Sequence, residues 1–295
     1  WSAGVQRLFG RVWAASADYV GTRGKHLATL RNLNQPFPET RLLPFPNVGP
    51  IEYRDDDGKS EYDGLELTFE RRFSAGLGLR AAYTLSSAKD NAGEHLFSGG
   101  SPSFLQNARD RNSWWGYSDW DTRHRFAFNW IYELPFGAGR RWAREGAAAR
   151  VLGGFTFSGI FITRSGRPFT VTQSSNNVGQ LATGLPDRIG SGEGQRTVDS
   201  WFNVGDFRAV PSGTFGNSGR NILRGPGLTN LDLALHRTFG LGGSRTLELR
   251  WEVFNALNAV QLGLPEANIS NNAVGRISRL AGDPRVMQVA ARVMF

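Results

Sequence analysis

The sequence predicts an all-β protein: strands of an antiparallel transmembrane β-barrel. Three observations predict it. Segments of roughly ten residues alternate apolar and polar side chains with a period of two, which in a strand sorts them onto two faces. The connections between these segments alternate between long and short. Composition agrees, because 37 glycines, 12% aromatic residues and almost no amphipathic helical pattern favour many strands and turns.

The first strand is expected at Arg7 to Tyr19, with mixed alternation, followed by a loop rich in Pro, Asn and Asp to about Glu61. Leu65, Leu67 and Phe69 then alternate with Glu66, Thr68 and Glu70. After a turn at Ser74-Ala75-Gly76, Leu77, Leu79, Ala81, Tyr83 and Leu85 alternate with Gly78, Arg80, Ala82, Thr84 and Ser86, which makes a hairpin. A polar and aromatic loop from Ser87 to about Asp121 leads to a fourth strand. Phe126, Phe128, Trp130 and Tyr132 share one of its faces, against Arg125, Ala127 and Asn129. Pro135 ends this strand, since proline cannot donate to a ladder, and a short helix is expected between Arg141 and Arg150.

Strand five, Gly154 to Thr163, sets Phe155, Phe157, Gly159 and Phe161 opposite Thr156, Ser158, Ile160 and Ile162. Arg164 to about Leu228 reads as the longest irregular region, with one short strand at Pro168 to Thr172. Strand six, Asn230 to Phe239, and strand seven, through Leu247, Leu249, Trp251 and Val253, flank a tight turn at Gly240 to Gly243. A polar loop, Asn255 to Pro284, precedes the eighth strand.

That last strand, Arg285 to Phe295, puts Met287, Val289, Ala291, Val293 and Phe295 on one apolar face, and Gln288, Ala290, Arg292 and Met294 on the other. Its length, about eleven residues, suits a tilted membrane-spanning strand. A half-buried soluble strand alternates equally well, so the connections carry the distinction. Connections one-to-two, three-to-four, five-to-six and seven-to-eight are long; the others are shorter. External loops and periplasmic turns of an outer-membrane barrel alternate in this way. Phe73, Phe136, Phe239 and Phe295 fall at the expected periplasmic strand ends, where an interfacial girdle belongs, although aromatic residues also favour strand ends generally.

Composition excludes several classes. No apolar run approaches the ~18 residues of a spanning helix, while a mean hydropathy of −0.35 is compatible with barrel strands. The net charge of +8 comes from 31 arginines against three lysines, and they are spread along the chain. No basic run interleaves with aromatics as a nucleic-acid platform requires, so no nucleic-acid partner is expected. Cysteine is absent, which removes thiol chemistry and fits an envelope location. The start at Trp1, without Met or signal peptide, is read as that of a fragment.

No enzyme is expected. The histidines His26, His95, His124 and His236 lie far apart, and neither a nucleophile elbow nor a phosphate loop is present. No cofactor or metal site is expected either. Asp55-Asp56-Asp57-Gly58 with Glu61 offers oxygens, yet it lacks the spacing of a calcium loop and reads as a solvated acidic loop. Within Asn112 to Trp120, the candidates for ligand contact are Trp114, Trp115 and Tyr117, because exposed aromatic faces stack on sugars and other flat groups. Their position beside the outer end of strand four gives the competing reading of a girdle.

Tyr19 to Leu27 (YVGTRGKHL), Asp121 to Phe126 (DTRHRF), Ser165 to Val171 (SGRPFTV), Gly219 to Gly227 (GRNILRGPG) and Glu252 to Asn258 (EVFNALN) together resemble the C-terminal barrel half of TonB-dependent outer-membrane receptors, Oar-like group. The resemblance implies that residues 1–295 are about eight strands of a barrel of about 22, an open curved sheet in isolation, with a plugged lumen in the intact transporter. The plug domain, the segment that contacts TonB and the earlier strands are expected to be absent from this chain. The final strand resembles the terminal strand of bacterial outer-membrane barrels, implying that Val289, Ala291, Val293 and Phe295 are an assembly signal read by the barrel-assembly machinery. Outer-membrane lipid and, through the missing plug, TonB are the other implied partners, and the cell outer membrane is the implied location. The alternative is a complete eight-stranded barrel with a structural or adhesive role. A barrel enzyme and a soluble carbohydrate-binding sandwich are the remaining rivals, and exposed apolar strand faces would exclude the sandwich.

Overall fold

Two-residue periodicity becomes, in the computed structural model, one large antiparallel sheet; residues 1–92, 104–174, 179 and 181–295 are described. In chain order the elements are β1 (Ser2–Phe9), β2 (Trp13–Asn32), β3 (Glu52–Ser74), β4 (Leu77–Asp90), β5 (Gly116–Tyr117), β6 (His124–Glu133), α1 (Gly146–Leu152) and β7 (Phe155–Arg164). Four two-residue strands follow, β8 (Pro168–Phe169), β9 (Asp187–Arg188), β10 (Phe207–Arg208) and β11 (Leu223–Arg224). The chain ends with β12 (Leu228–Gly242), β13 (Arg245–Phe254) and β14 (Val286–Met294). The long strands pair in the order β1-β2-β3-β4-β6-β7-β12-β13-β14, with β5 beside β4.

The sheet is open. Its path begins at β1 and ends at β14, and no ladder joins the two. Nine long strands in antiparallel succession leave both end strands running from the loop side to the turn side. Closing the sheet on itself would force a parallel junction, whereas bacterial single-chain barrels have even strand numbers. The complete eight-stranded barrel is therefore not what forms.

The expected first strand is in fact two. Ser2–Phe9 and Trp13–Asn32 make a hairpin in which Phe9 faces Trp13, turned at Gly10, whose φ is +62°, a backbone conformation natural to glycine. Three turn residues preserve parity, so alternation runs through the turn unbroken and hides it. The expected loop to Glu61 is also largely strand, because β2 and β3 run for 20 and 23 residues. Connections at 10–12, 75–76 and 243–244 are short and those at 91–123, 165–227 and 255–285 are long; 134–154, which carries α1, is no shorter than 33–51, so the expected alternation of lengths holds except between these two.

Register assigns every side chain to a face, since residues opposed across antiparallel strands share one. Leu67 stands between Ala17 and Tyr83, Phe128 between Ala81 and Phe161, and Leu235 between Phe157 and Trp251. Trp251 in turn faces Val289. One apolar face thus crosses the whole sheet, and Leu65, Leu67, Phe69, Leu249, Trp251 and Val289 on it are exposed. Among the described residues no layer covers them. A contiguous apolar surface of this extent is unstable in water, and lipid is the medium that removes the cost; a soluble sandwich is excluded on the same ground.

Aromatic rings gather near the turn end. Trp13 stacks on Phe69 with centroids 5.1 Å apart, Phe136 packs on Trp142 at 5.7 Å, and Arg237 lies 4.4 Å over Phe239. Phe73 departs from the expected girdle. A bulge between Arg71 and Ser74 shifts its parity, and it covers Gly78 on the polar face, where a Cβ would lie 3.3 Å from it. The expected connector helix forms at Gly146–Leu152, and Arg237 donates to the carbonyl oxygens of Arg150 and Val151 at its end, a favourable place for a cation.

Buried hydrophobic residues lie almost entirely in the long loops. Phe169, Val171, Phe202, Phe207 and Leu223 form one cluster, and Leu105, Trp114 and Leu185 another. The described part of the stretch from Arg164 to Leu228 is accordingly a folded cap, held by the β8–β11 and β9–β10 pairs and packed against Ala267, Ile269 and Val274.

Candidate functional site

Two features could carry function: the polar face of the sheet and the cap of interlocked loops at its long-loop end. On the polar face Glu70 opposes Arg80, Arg80 opposes Asn129, and Ile160 lies between Asn129 and Asp232. Arg250 reaches Glu248 at 3.0 Å and Glu252 at 3.5 Å, and Glu252 accepts from Gln288. A groove of about 630 Å³ runs over this face, bordered by Glu70, Arg80, Asn129, Asp232 and Glu252, with Phe73 and Ile131. Paired charges of both signs beside a few apolar groups suit contact with a hydrated or polar partner.

The cap is locked by buried polar side chains. Arg220, whose side chain is 0% exposed, reaches Asp90 at 2.7 Å and Asp119 at 3.1 Å, and Arg224 pairs with Asp121. Asn221 donates to the Tyr117 carbonyl oxygen at 2.7 Å and to Asp119 at 2.5 Å. Gln106 donates to the Gly216 carbonyl oxygen at 2.9 Å, while Gln35 donates to the carbonyl oxygen of Gln106 at 2.7 Å and accepts from the Ala108 amide. Loops separated by more than a hundred residues are joined here. Buried charge is tolerable only when paired in this way.

Four stretches that carry the family resemblance have structural work at this outer end. GRNILRGPG supplies Arg220, Asn221 and Arg224, DTRHRF opens with Asp121, and SGRPFTV supplies β8. Gly166 in that last stretch admits no side chain, because a Cβ would lie 1.8 Å from the Gly225 oxygen. EVFNALN supplies Asn255, which accepts from the Ala259 amide and donates to the carbonyl oxygens of Ala259 and Asp283.

Of the ligand-contact candidates, Trp114 is a correction. It is 2% exposed, packed with Leu105 and Leu185, so it presents no free face to a ligand or to an interface. Trp115 is exposed. Tyr117, in β5, is half-buried between Arg224, 4.9 Å over its ring, and Lys89 at 5.4 Å. Trp115 and Tyr117 thus keep some open surface at the outer end, though they do not converge with Trp114. Val289, Ala291 and Val293 all face the apolar side of edge strand β14, opposed to Trp251, Leu249 and Leu247, and Phe295 is 95% exposed.

The acidic run separates rather than converging. Asp55 pairs with Arg31, Asp57 with Arg111 at 3.2 Å, and Asp56 lies 3.7 Å from His26. Burial works to raise the Asp57 carboxyl, but the Thr29 hydroxyl and Arg111 outweigh it and hold the group below its ordinary range. Burial draws Arg111 down even as Asp57 supports its charge, and a guanidinium remains a cation throughout. His124 bonds the Tyr83 hydroxyl at 2.8 Å, His236 stands between Thr156 and Arg250 on the polar face, and His95 lies outside the described residues.

The family profile described as "Outer membrane beta barrel domain" matches residues 1–288. No curated protein matches the sequence. Among solved structures, the outer membrane transporter YddB from Escherichia coli is similar in fold, with a TM-score of 0.54 and 10% sequence identity. The likeness covers 99% of this chain and 32% of that one, so the chain spans about a third of the length of the structure it matches.

Proposed function

This chain belongs to the outer membrane beta-barrel domain family and lies in the cell outer membrane, and from that premise we propose that it is the C-terminal portion of a TonB-dependent transporter, Oar-like in kind. The observation that carries the reading is the open sheet. Nine strands, apolar on one face and polar on the other, end in two edges whose backbone groups need partners within the membrane. An arc of a larger barrel supplies them; a closed small barrel does not form. The fold likeness to a transporter about three times as long supports an arc rather than a whole.

In this reading the groove over Glu70, Arg80, Asn129 and Asp232 faces the barrel interior and lies against a plug, which supplies the contact to TonB. The cap forms part of the outward mouth, where Trp115 and Tyr117 meet the arriving substrate. The apolar face of β14 serves as the signal for the barrel-assembly machinery. In this reading the role is uptake.

The test is uptake by cells expressing the full-length protein, with TonB intact or inactivated, against a panel of labelled oligosaccharides, peptides and metal chelates. The proposal expects uptake of at least one compound that stops when TonB is inactivated. Uptake that continues without TonB would refute it.

A further inference from the structure

The chain's three lysines stand together. Lys25 directly opposes Lys59 across β2 and β3, and Lys89 opposes Glu61 across β3 and β4. Followed down each strand, Lys25 shares its face with Tyr19, Lys59 with Leu65 and Lys89 with Leu85. The patch therefore lies on the lipid-facing side, beyond the outer limit of the apolar band.

Like charges directly opposed across a strand pair repel, and among the described residues no ion pair is made to either of these two. Arg23 holds Asp63 at 2.9 Å and Glu61 at 3.8 Å. Asp56 lies with His26, Asp57 is matched by Arg111, and Lys89 rests on the Tyr117 ring. Lys25 and Lys59 are both exposed, and neither ammonium has an ion pair or hydrogen bond among the described residues. A cavity of about 330 Å³ adjoins them, bordered by Lys25, His26, Lys59, Arg111 and Asn112, with Asp56 and Asp57.

Height selects the ligand. Lys59 stands six positions beyond Leu65 on β3, roughly 20 Å along the strand at ~3.3 Å per residue, or roughly 15 Å of height at a ~40° tilt. A phospholipid headgroup layer adds only about 5–8 Å on each side of the hydrocarbon. A lysine can lean back toward the membrane, but a taller headgroup meets the pair where it stands. We propose that Lys25 and Lys59 bind a phosphate of a phosphorylated glycolipid in the outer leaflet, whose sugars carry phosphate above the phospholipid level. One phosphate between two ammonium groups turns the repulsion into two charge-assisted hydrogen bonds. The site concerns anchoring in lipid and is independent of what the protein transports.

The test titrates fluorescent lipopolysaccharide into the full-length protein in neutral detergent, with heat-dependent gel mobility as the check of folding. Lys25→Gln with Lys59→Gln should weaken binding at least tenfold, and Lys25→Arg with Lys59→Arg should bind within about threefold of the parent. Dephosphorylated lipopolysaccharide should bind the parent as weakly as the intact lipid binds the glutamine variant. Should the double glutamine variant misfold, Lys25→Gln alone should weaken binding at least threefold. Undiminished binding by a folded glutamine variant, or equal loss in the arginine variant, overturns the site. Equal affinity for phosphatidylglycerol vesicles, or displacement by millimolar inorganic phosphate, overturns the glycolipid as its occupant.

Discussion

Placing arginine at two neighbouring positions of one strand tests the lipid-facing assignment with a built-in control. Leu67 lies midway along the outward apolar run of β3, between Leu65 and Phe69, and opposes Ala17 and Tyr83. Thr68 is the next residue and points to the other face, opposing Ser16 and Ala82, with Glu66 and Glu70 two positions to either side. Leu67→Arg sets a guanidinium near the middle of the bilayer, which costs about 2–4 kcal/mol on the lipid face of a barrel. Thr68→Arg sets the same group among hydrated polar side chains between two carboxylates. There its attraction, about 0.2–1 kcal/mol for an exposed pair, offsets the loss of the threonine. The full-length protein refolded into bilayers and unfolded in guanidinium chloride, followed by tryptophan fluorescence, gives both values. A difference of about 2–4 kcal/mol in favour of Thr68→Arg is expected. Equal losses, or a larger loss at Thr68, would refute the reasoning.

Three further predictions follow from the topology and the cap. Cysteine at Ser191, on an exposed stretch of the cap, should react with an impermeant maleimide on whole cells, and cysteine at Ser244, on the β12–β13 turn, should not; reversed labelling inverts the topology. Arg220→Ala removes the shared cation from Asp90 and Asp119 and should cost about 3–5 kcal/mol of cap stability, as breaking a buried pair does. Hydrogen exchange across 165–227 reads that loss, and unchanged protection contradicts the latch. Asp57 has a depressed carboxyl, so its stabilisation is fully present above the ordinary value of 3.8 and is lost as pH falls through the lower folded value. Protection of the β2–β3 tip should be flat from about pH 7 to 5 in respect of this group, with its share lost only below 3.8; a loss centred near neutrality points to another group.

The membrane-spanning strands were legible because one face must be apolar for lipid while the other stays polar, and Leu65 to Glu70 or Leu247 to Val253 record that in a strict period of two. The hairpin at Gly10 escaped because its three turn residues keep Phe9 and Trp13 in phase. The outward extensions of β2 and β3 escaped for another reason. In water neither face needs to be apolar, so residues such as Arg54 to Lys59 pair without leaving an alternating trace. Trp114 read as exposed because its neighbours in sequence are equally aromatic, while Leu185, which helps bury it, lies far along the chain. Arg220 belongs to a recognisable stretch, yet its partner Asp90 is 130 residues away, and no local pattern joins them.

The central claim is that β1 and β14 are the two edges of an arc and meet only strands outside this chain. Spin labels at Val5 and Val289, both on the lipid-facing side, measure it in the full-length protein in bilayers. Eight strand spacings of ~4.8 Å bent around a large barrel separate the two labels by roughly 30–40 Å, and a pulsed dipolar measurement should return that distance. A separation below about 15 Å, the distance expected of neighbouring strands carrying flexible labels, would mean that the sheet closes on itself and would contradict the account.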